Sequence, residues 1–412
     1  MAANYARFGG RRAARTSLRA NGLAGRGYSR RWLVTCVCVL ACTFGLLTGV
    51  ANAATASVSS WTQYLPGSGF TPSWTEYLPG ARLFGSSAGR GGSSVTGPSG
   101  GRSAPASAPA AALPGQAFSG TFSNSAGSLD YTGYVPTSYN ASSAVPLVVA
   151  LHGCTETADG FRQLTRWDQL AEAKGFVVVF PQQSKDNNYL KCWNWFQTAH
   201  MQRGSGEPSL IAGLTQWVQQ HYSIDTHRTY VDGFSAGGAM SSVMAATYPD
   251  LYAAAGIASG CEYGATAACA GYKSTDPAQA GQQAATAMGS NKRPMPVILF
   301  QGDQDTIVPP ANANQLVEQW QTTDDLVDDG AKNGSMSTMP MKTTFGQVAN
   351  GGRFYTVKSY SDRHRKELIQ YWLVRGMGHA WSGGCDCQQY ADPSGPDATG
   401  AMYAFFLNHP MP

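Results

Sequence analysis

Thr229-Tyr230-Val231-Asp232-Gly233-Phe234-Ser235-Ala236-Gly237-Gly238-Ala239-Met240 is the stretch whose reading decides the fold. Its first residues have the β-branched and aromatic texture of a buried strand. Gly233-Phe234-Ser235-Ala236-Gly237 is a G-x-S-x-G box, and Gly238-Ala239-Met240 opens a helical pattern reaching Tyr248. A strand, a tight turn and a helix in that order expose a serine at the helix N-terminus, where the dipole favours developing negative charge. The flanking glycines remove side chains that would clash in so sharp a turn. A glycine-rich turn without chemistry is the bland alternative, so the box needs partners elsewhere in the chain.

Working outward, apolar runs alternate with helical patterns. Phe118 to Tyr139 reads as an opening antiparallel hairpin. Strands are expected at Val145–Leu151, Phe176–Phe180, Thr229–Gly233, Ala253–Ile257, Val297–Phe300 and Leu368–Val374. Helices are expected at Phe161–Ala173, Leu210–Tyr222, Ser235–Tyr248, near Asn314–Gln321, and Ala398–Leu407. Alternation of this kind implies a doubly wound, mostly parallel sheet with helices on both faces and its function at the strand carboxyl ends. Gly260–Arg293 and Thr323–Gly346 read as insertions, one of them a possible roof over the site.

A serine needs a base, and in elbow hydrolases the partners follow in the order Ser, acid, His. His364 lies in the charged run Arg363-His364-Arg365-Lys366, and His409 lies in the C-terminal tail. His379 sits in Gly376-Met377-Gly378-His379-Ala380-Trp381, a glycine-rich loop just after a strand, and is the candidate base. Asp303 and Asp305, in the loop after Val297–Phe300, both qualify as the acid that orients it. His152-Gly153-Cys154 follows a strand where an oxyanion loop belongs, so the amides of Cys154 and Ala236 are candidate donors. Cys154 as a thiol nucleophile is the weaker reading; a disulfide, for instance to Cys192, fits an exported chain better. The aromatics Trp193, Trp195 and Trp381 are candidates for the substrate wall, with ordinary core as the alternative.

Composition bounds the rest. Eight of the 29 basic residues fall in residues 1–53, which hold no acid, so the remainder carries 21 basic against 25 acidic residues. That balance offers no global basic field to recruit nucleic acid. The arginine-rich start, the apolar run Trp32–Val50 and Ala51-Asn52-Ala53 read as a signal peptide over 1–53, Sec or Tat, with no membrane span after cleavage. Six cysteines remain, Cys154, Cys192, Cys261, Cys269, Cys385 and Cys387, and sequence leaves their pairing open. Cys385-Asp386-Cys387 is half of a metal site with nothing to complete it, so no metal is expected. No phosphate-binding or dinucleotide motif is present, so no cofactor is expected. Residues 54–117 are rich in Gly, Ser, Ala and Pro and read as a linker. Within it Trp61-Thr62-Gln63-Tyr64-Leu65-Pro66-Gly67 recurs as Trp74-Thr75-Glu76-Tyr77-Leu78-Pro79-Gly80. Residues 118–412 are the expected catalytic domain.

Five motifs in fixed order resemble the poly(3-hydroxybutyrate) depolymerase family of esterases. They are Leu151-His152-Gly153-Cys154-Thr155, Cys192-Trp193-Asn194-Trp195-Phe196, the Ser235 box through Met240, Gly302-x-x-Asp305-x-x-Val308, and Gly378-His379-Ala380-Trp381-Ser382-Gly383-Gly384. The resemblance implies an α/β-hydrolase fold, a Ser235–Asp305–His379 triad and a secreted serine esterase. It selects Asp305 over Asp303. The implied substrates are short-chain poly- or oligo-3-hydroxyalkanoate esters, with acetylxylan or feruloyl polysaccharide esters as the neighbouring possibility. A non-catalytic surface-binding protein using the WTxYLPG repeat is the reading from another class. Glu156 departs from the pattern, standing where glutamine is expected. The linker-like stretch also precedes the catalytic domain, whereas depolymerases of solid polyester carry linker and binding domain after it.

Overall fold

The computed structural model describes residues 115–271 and 276–412, which fall in one compact unit spanning Arg102–Pro412. The expected signal peptide and the repeat-bearing linker lie outside the described residues, apart from the start of the first strand.

The chain opens with the antiparallel hairpin β1 (Gln116–Asn124) and β2 (Gly127–Val135). There follow β3 (Val145–Leu151), α1 (Ala158–Thr165), α2 (Trp167–Lys174), β4 (Val177–Gln182), α3 (Gly206–His221), β5 (Ile224–Phe234) and α4 (Ala236–Thr247). Then come β6 (Ala254–Ala258), α5 (Pro277–Met288), β7 (Val297–Gly302), α6 (Ala311–Asp329), β8 (Lys342–Gln347), β9 (Phe354–Ser361) and β10 (Glu367–Val374). A two-residue pair, β11 (Trp381–Ser382) with β12 (Ala391–Asp392), and α7 (Ala398–Leu407) close the chain.

Ten strands form one sheet in the order β1-β2-β4-β3-β5-β6-β7-β10-β9-β8. The six central strands β4 to β10 run parallel, and the outer pairs at both edges are antiparallel. Both faces of the parallel part are covered, which is why its strands read as continuous apolar runs. Leu147, Val149 and Leu151 point into one core with Leu210, Ile211, Met240 and Val243. Val148 and Ala150 point into the other with Phe161, Trp167, Tyr403 and Phe406. The alternation is the two-residue period of a strand. This is the doubly wound α/β-hydrolase architecture that the sequence implies.

The differences are local. The single helix expected over Phe161–Ala173 is two, because Arg166 adopts φ 56° and breaks it. Thr323–Gly346 is not an insertion: α6 runs on to Asp329, and β8 follows. Strand β9 has no counterpart in the sequence reading. Its burial alternates, with Tyr355, Val357 and Ser359 inside, but both faces mix polar and apolar types, so its sequence shows no clear period.

Close packing of α7 on the sheet depends on Gly256 in β6. A methyl group there would meet Met402 Sδ at 2.8 Å and Asp232 Cβ at 2.9 Å. Overpacking of this kind costs about 1–3 kcal/mol. Gly256→Ala is therefore expected to lower the unfolding free energy by that amount, seen as a lower urea midpoint at an unchanged slope. A loss under about 0.5 kcal/mol would show that α7 yields freely.

Candidate active site

Four loops bring the sequence candidates together at the carboxyl ends of β3, β5, β7 and β10. One apolar-walled cavity of about 120 Å³ is lined by Cys154, Trp195, Phe234, Ser235, Ala236, His379 and Tyr390, with Cys261, Cys269, Ala270, Ile307 and Val308 completing it.

Ser235 stands between β5 and α4 with φ 56° and ψ −118°, a conformation costly for a residue with a Cβ. Its amide donates to Ala258 O at 2.9 Å. The turn survives because two glycines let backbones touch. A Cβ on Gly237 would overlap the Leu151 carbonyl oxygen, and one on Gly233 would overlap Gly237. Ala236 is the first residue of α4, so its N–H has no intrahelical acceptor.

His379 Nδ1 lies 2.8 Å from Asp305 Oδ2, and both side chains are almost fully buried. An ionised carboxylate only accepts, so Nδ1 carries a proton, and in the neutral ring it is Nε2 that has the free lone pair. Asp305 Oδ1 accepts from the amides of Ile307 and Val308 at 2.9 and 2.8 Å, and Gln301 Nε2 donates to Oδ2 at 3.1 Å. Burial acts most strongly on this carboxyl and pushes its pKa up. The His379 bond and charge and the two amides outweigh it, and hold Asp305 below the usual aspartate value. Asp303 is occupied elsewhere, accepting from Gly376 N at 2.6 Å. The His379 ring packs on Phe234 (centroids 4.7 Å) and edge-on to Tyr390 (6.0 Å).

The His152–Cys154 loop is fixed from below. His152 is fully buried; its Nδ1 donates to Gly153 O at 2.7 Å and its Nε2 accepts from Gln183 N at 3.0 Å. Burial lowers its pKa to about 4, so it serves as a neutral strut. Cys154 is disulfide-bonded to Cys192, which removes the thiol-nucleophile reading. The other pairs are Cys261–Cys269 and Cys385–Cys387, so the C-x-C is a disulfide and not half of a metal site. Among the described residues no group of three or more His, Cys, Asp or Glu is placed to hold a metal ion.

Two of the three tryptophan candidates need correction. Trp193 and Trp381 are fully buried and line no part of the cavity. Trp193 Nε1 donates to His152 O at 3.0 Å, and Trp381 Nε1 to Thr399 Oγ1 at 3.1 Å. An indole with its N–H satisfied inside packs as core. Trp195 does line the cavity, and its buried N–H has no partner among the described residues. Its loop is anchored by Glu207 at the start of α3, which accepts from Asn194 N at 2.7 Å and Asn194 Nδ2 at 2.6 Å. Sequence reasoning missed Tyr390, eleven residues past His379. Of the two stretches read as insertions, Gly260–Arg293 supplies Cys261, Cys269 and Ala270 to the cavity lining.

Fold and site together define an α/β-hydrolase with a serine, a carboxylate-paired histidine and the Cys154 and Ala236 turn residues around one cavity. Residues 129–338, just over half of the chain, match the family model Esterase PHB depolymerase, and the chain belongs to that family. Similar proteins include poly(3-hydroxyalkanoate) depolymerase C of Paucimonas lemoignei, 35% identical over 266 residues, covering 63% of this chain and 60% of the relative. Acetylxylan esterase A of Aspergillus oryzae is 33% identical over 202 residues, 45% of this chain and 64% of the relative. The chain thus spans about three fifths of the length of these relatives. Among solved structures, an acetyl xylan esterase from Aspergillus awamori matches with a TM-score of 0.51 and 27% identity, covering 61% of this chain and 89% of that one.

Glu156, the departure from the family pattern, accepts from Gly153 N at 2.7 Å through Oε2. Burial raises its pKa to about 7 against the opposing Gly153 bond. The folded state therefore holds a proton that the unfolded state releases between about pH 4.5 and 7, so stability falls as pH rises through that window. Glu156→Gln keeps the Gly153 bond through its carboxamide oxygen. Its melting temperature should match wild type near pH 4 and exceed it increasingly up to pH 7. A difference that does not change with pH would refute the assignment.

Proposed function

We propose that the protein is a serine esterase acting through an acyl-enzyme, with Ser235 as nucleophile, His379 as general base and acid, and Asp305 as orienter. The observation that carries this reading is one cavity shared by a serine at positive φ, an Asp305-bonded His379 and the Cys154 and Ala236 turn residues. Ser235 Oγ adds to the ester carbonyl carbon while His379 Nε2 takes its proton. The Cys154 and Ala236 amides stabilise the oxyanion. Collapse expels the alcohol, which leaves with the His379 proton. Water repeats the sequence and frees the acid.

The acyl group must be short. An apolar cavity of about 150 Å³ holds a benzene-sized molecule, so one of about 120 Å³ takes an acyl group of roughly six heavy atoms or fewer. A 3-hydroxybutyryl group fits that limit, while a feruloyl group exceeds it. The family and the Paucimonas lemoignei relative point the same way. Acetylxylan is the second reading: an acetyl group also fits, and the Aspergillus awamori structure is similar.

Export fits the three disulfides, since such bonds persist in oxidising compartments. No helix of the described residues is long and apolar enough to cross a membrane.

Turnover of soluble 3-hydroxybutyrate oligomers, amorphous polyester, acetylated xylan and methyl ferulate tests the reading. The hydroxybutyrate esters should be cleaved fastest. Ser235→Ala should lose at least about 10³-fold, and Asp305→Asn about 10⁴-fold in kcat with the fold intact. Wild-type rates in Ser235→Ala would discard the mechanism. A preference for xylan would keep it and change the substrate.

A further inference from the structure

Beside the catalytic cavity lies a second, larger groove of about 470 Å³ that the chemistry above leaves unused. Trp195 and Cys261 line the cavity; a few residues further along the same two segments, Met201 and Tyr263 line the groove. Tyr263 hydroxyl donates to Met201 O at 2.8 Å and ties the segments into a shared partition. The far wall is α5, whose sequence Pro-Ala-Gln-Ala-Gly-Gln-Gln-Ala-Ala-Thr-Ala-Met contains no charged residue. A surface helix normally turns charged side chains to water. This one turns out Gln279, Gln282 and Gln283, and Gln202 faces them from the other wall. Among the described residues, none of these four carboxamides has a side-chain hydrogen-bond partner and no charged side chain lines the groove.

We propose that this groove holds the continuing chain of a neutral polyester while one of its esters occupies the catalytic cavity. The inference rests on the esterase reading above and extends it to the polymer. A polyester presents carbonyl and ether oxygens that accept hydrogen bonds, offers no donor along its length, and carries small alkyl branches. Four free carboxamides supply the matching N–H donors, and Met201 and Ala287 supply apolar contact. A polysaccharide is the worse fit. Sugar rings pack on open aromatic faces, and the groove's aromatic residue, Tyr263, is 8% exposed with its hydroxyl already committed. The lack of charge also disfavours an ionic ligand.

The test uses the full mature chain and two double variants at exposed helix positions, Gln282→Ala with Gln283→Ala, and Gln282→Glu with Gln283→Glu. Substrates are methyl 3-hydroxybutyrate, which is too short to reach the groove, and 3-hydroxybutyrate oligomers of increasing length. Two neutral hydrogen bonds lost together correspond to about tenfold in affinity. Both variants should raise KM for the long oligomers about tenfold and leave kcat/KM for the methyl ester unchanged. The glutamate pair weakens binding too, because a carboxylate cannot donate to an ester oxygen. Unchanged KM for long oligomers in both variants would overturn the groove assignment while leaving the esterase reading intact. If the wild type ignores the methyl ester yet cleaves acetylated xylo-oligosaccharides, the substrate reading fails instead. In that case the alanine pair alone would weaken binding, since sugar hydroxyls donate to carboxylates, and the occupant would be a polysaccharide.

Discussion

Everything at the site depends on how closely the N-terminus of α4 approaches the C-terminus of β3. Gly237 sits so near the Leu151 carbonyl that no Cβ could be placed there, and Gly233 is as close to Gly237. That contact brings the Ser235 turn beside the His152–Cys154 loop, two segments about eighty residues apart in sequence. Ser235, Cys154 and Ala236 then line one space. Ser235 is held at positive φ by sheet and helix packed on either side, which over-determine a conformation it would not adopt alone. The strain is borne by the most buried part of the molecule, where ten strands and two cores resist relaxation.

The second constraint is electrostatic. Buried carboxylates are costly, and this chain keeps several around the site. Asp305 meets the cost with two backbone amides, Gln301 and His379, and stays below its ordinary pKa. Glu207 meets it by binding the Trp195 loop to α3. Glu156 has one amide and is pushed up to about 7. Asp232, three residues before Ser235, has one oxygen on Trp167 Nε1 and none on the other, and burial drives its pKa far upward. The better-satisfied acids, Asp305 and Glu207, hold His379 and the Trp195 loop, whereas burial raises the pKa of the less-satisfied Glu156 and Asp232. The number of donors each carboxyl meets decides its role.

Those facts set what could be read from sequence. The Ser235 box was legible because its glycines are required by backbone contact, a constraint that leaves a residue-type signature. Chain order and loop position isolated His379 among the later histidines, but Asp303 and Asp305 stood equal until the family pattern separated them. In the structure the difference is which carboxyl meets the histidine: Asp303 turns to Gly376. The tryptophans misled because nearness in sequence to Cys192 or His379 says nothing of side-chain direction. Trp193 and Trp195 are two apart in a loop, and one props the His152 carbonyl while the other walls the cavity. Tyr390 was invisible: its placement depends on Trp381 N bonding Tyr390 O at 2.7 Å, a long-range contact with no local pattern.

On the proposed esterase and groove readings, the small cavity and the larger groove divide the work that catalysis needs. A cavity of about 120 Å³ gives an acyl group little surface to bind, so most contacts there serve the reacting atoms. Interactions made only as charge develops raise turnover, whereas uniform binding does not. Binding energy for a long neutral chain must then come from outside the cavity, through contacts that do not change during the reaction. An uncharged, donor-lined surface suits that purpose, since its hydrogen bonds exchange readily with water and let a product chain leave. Rigid packing where bonds break and exchangeable contacts where the chain rests are opposite physical demands. On the reading proposed above, placing them on the two sides of the Tyr263–Met201 contact lets one sheet satisfy both.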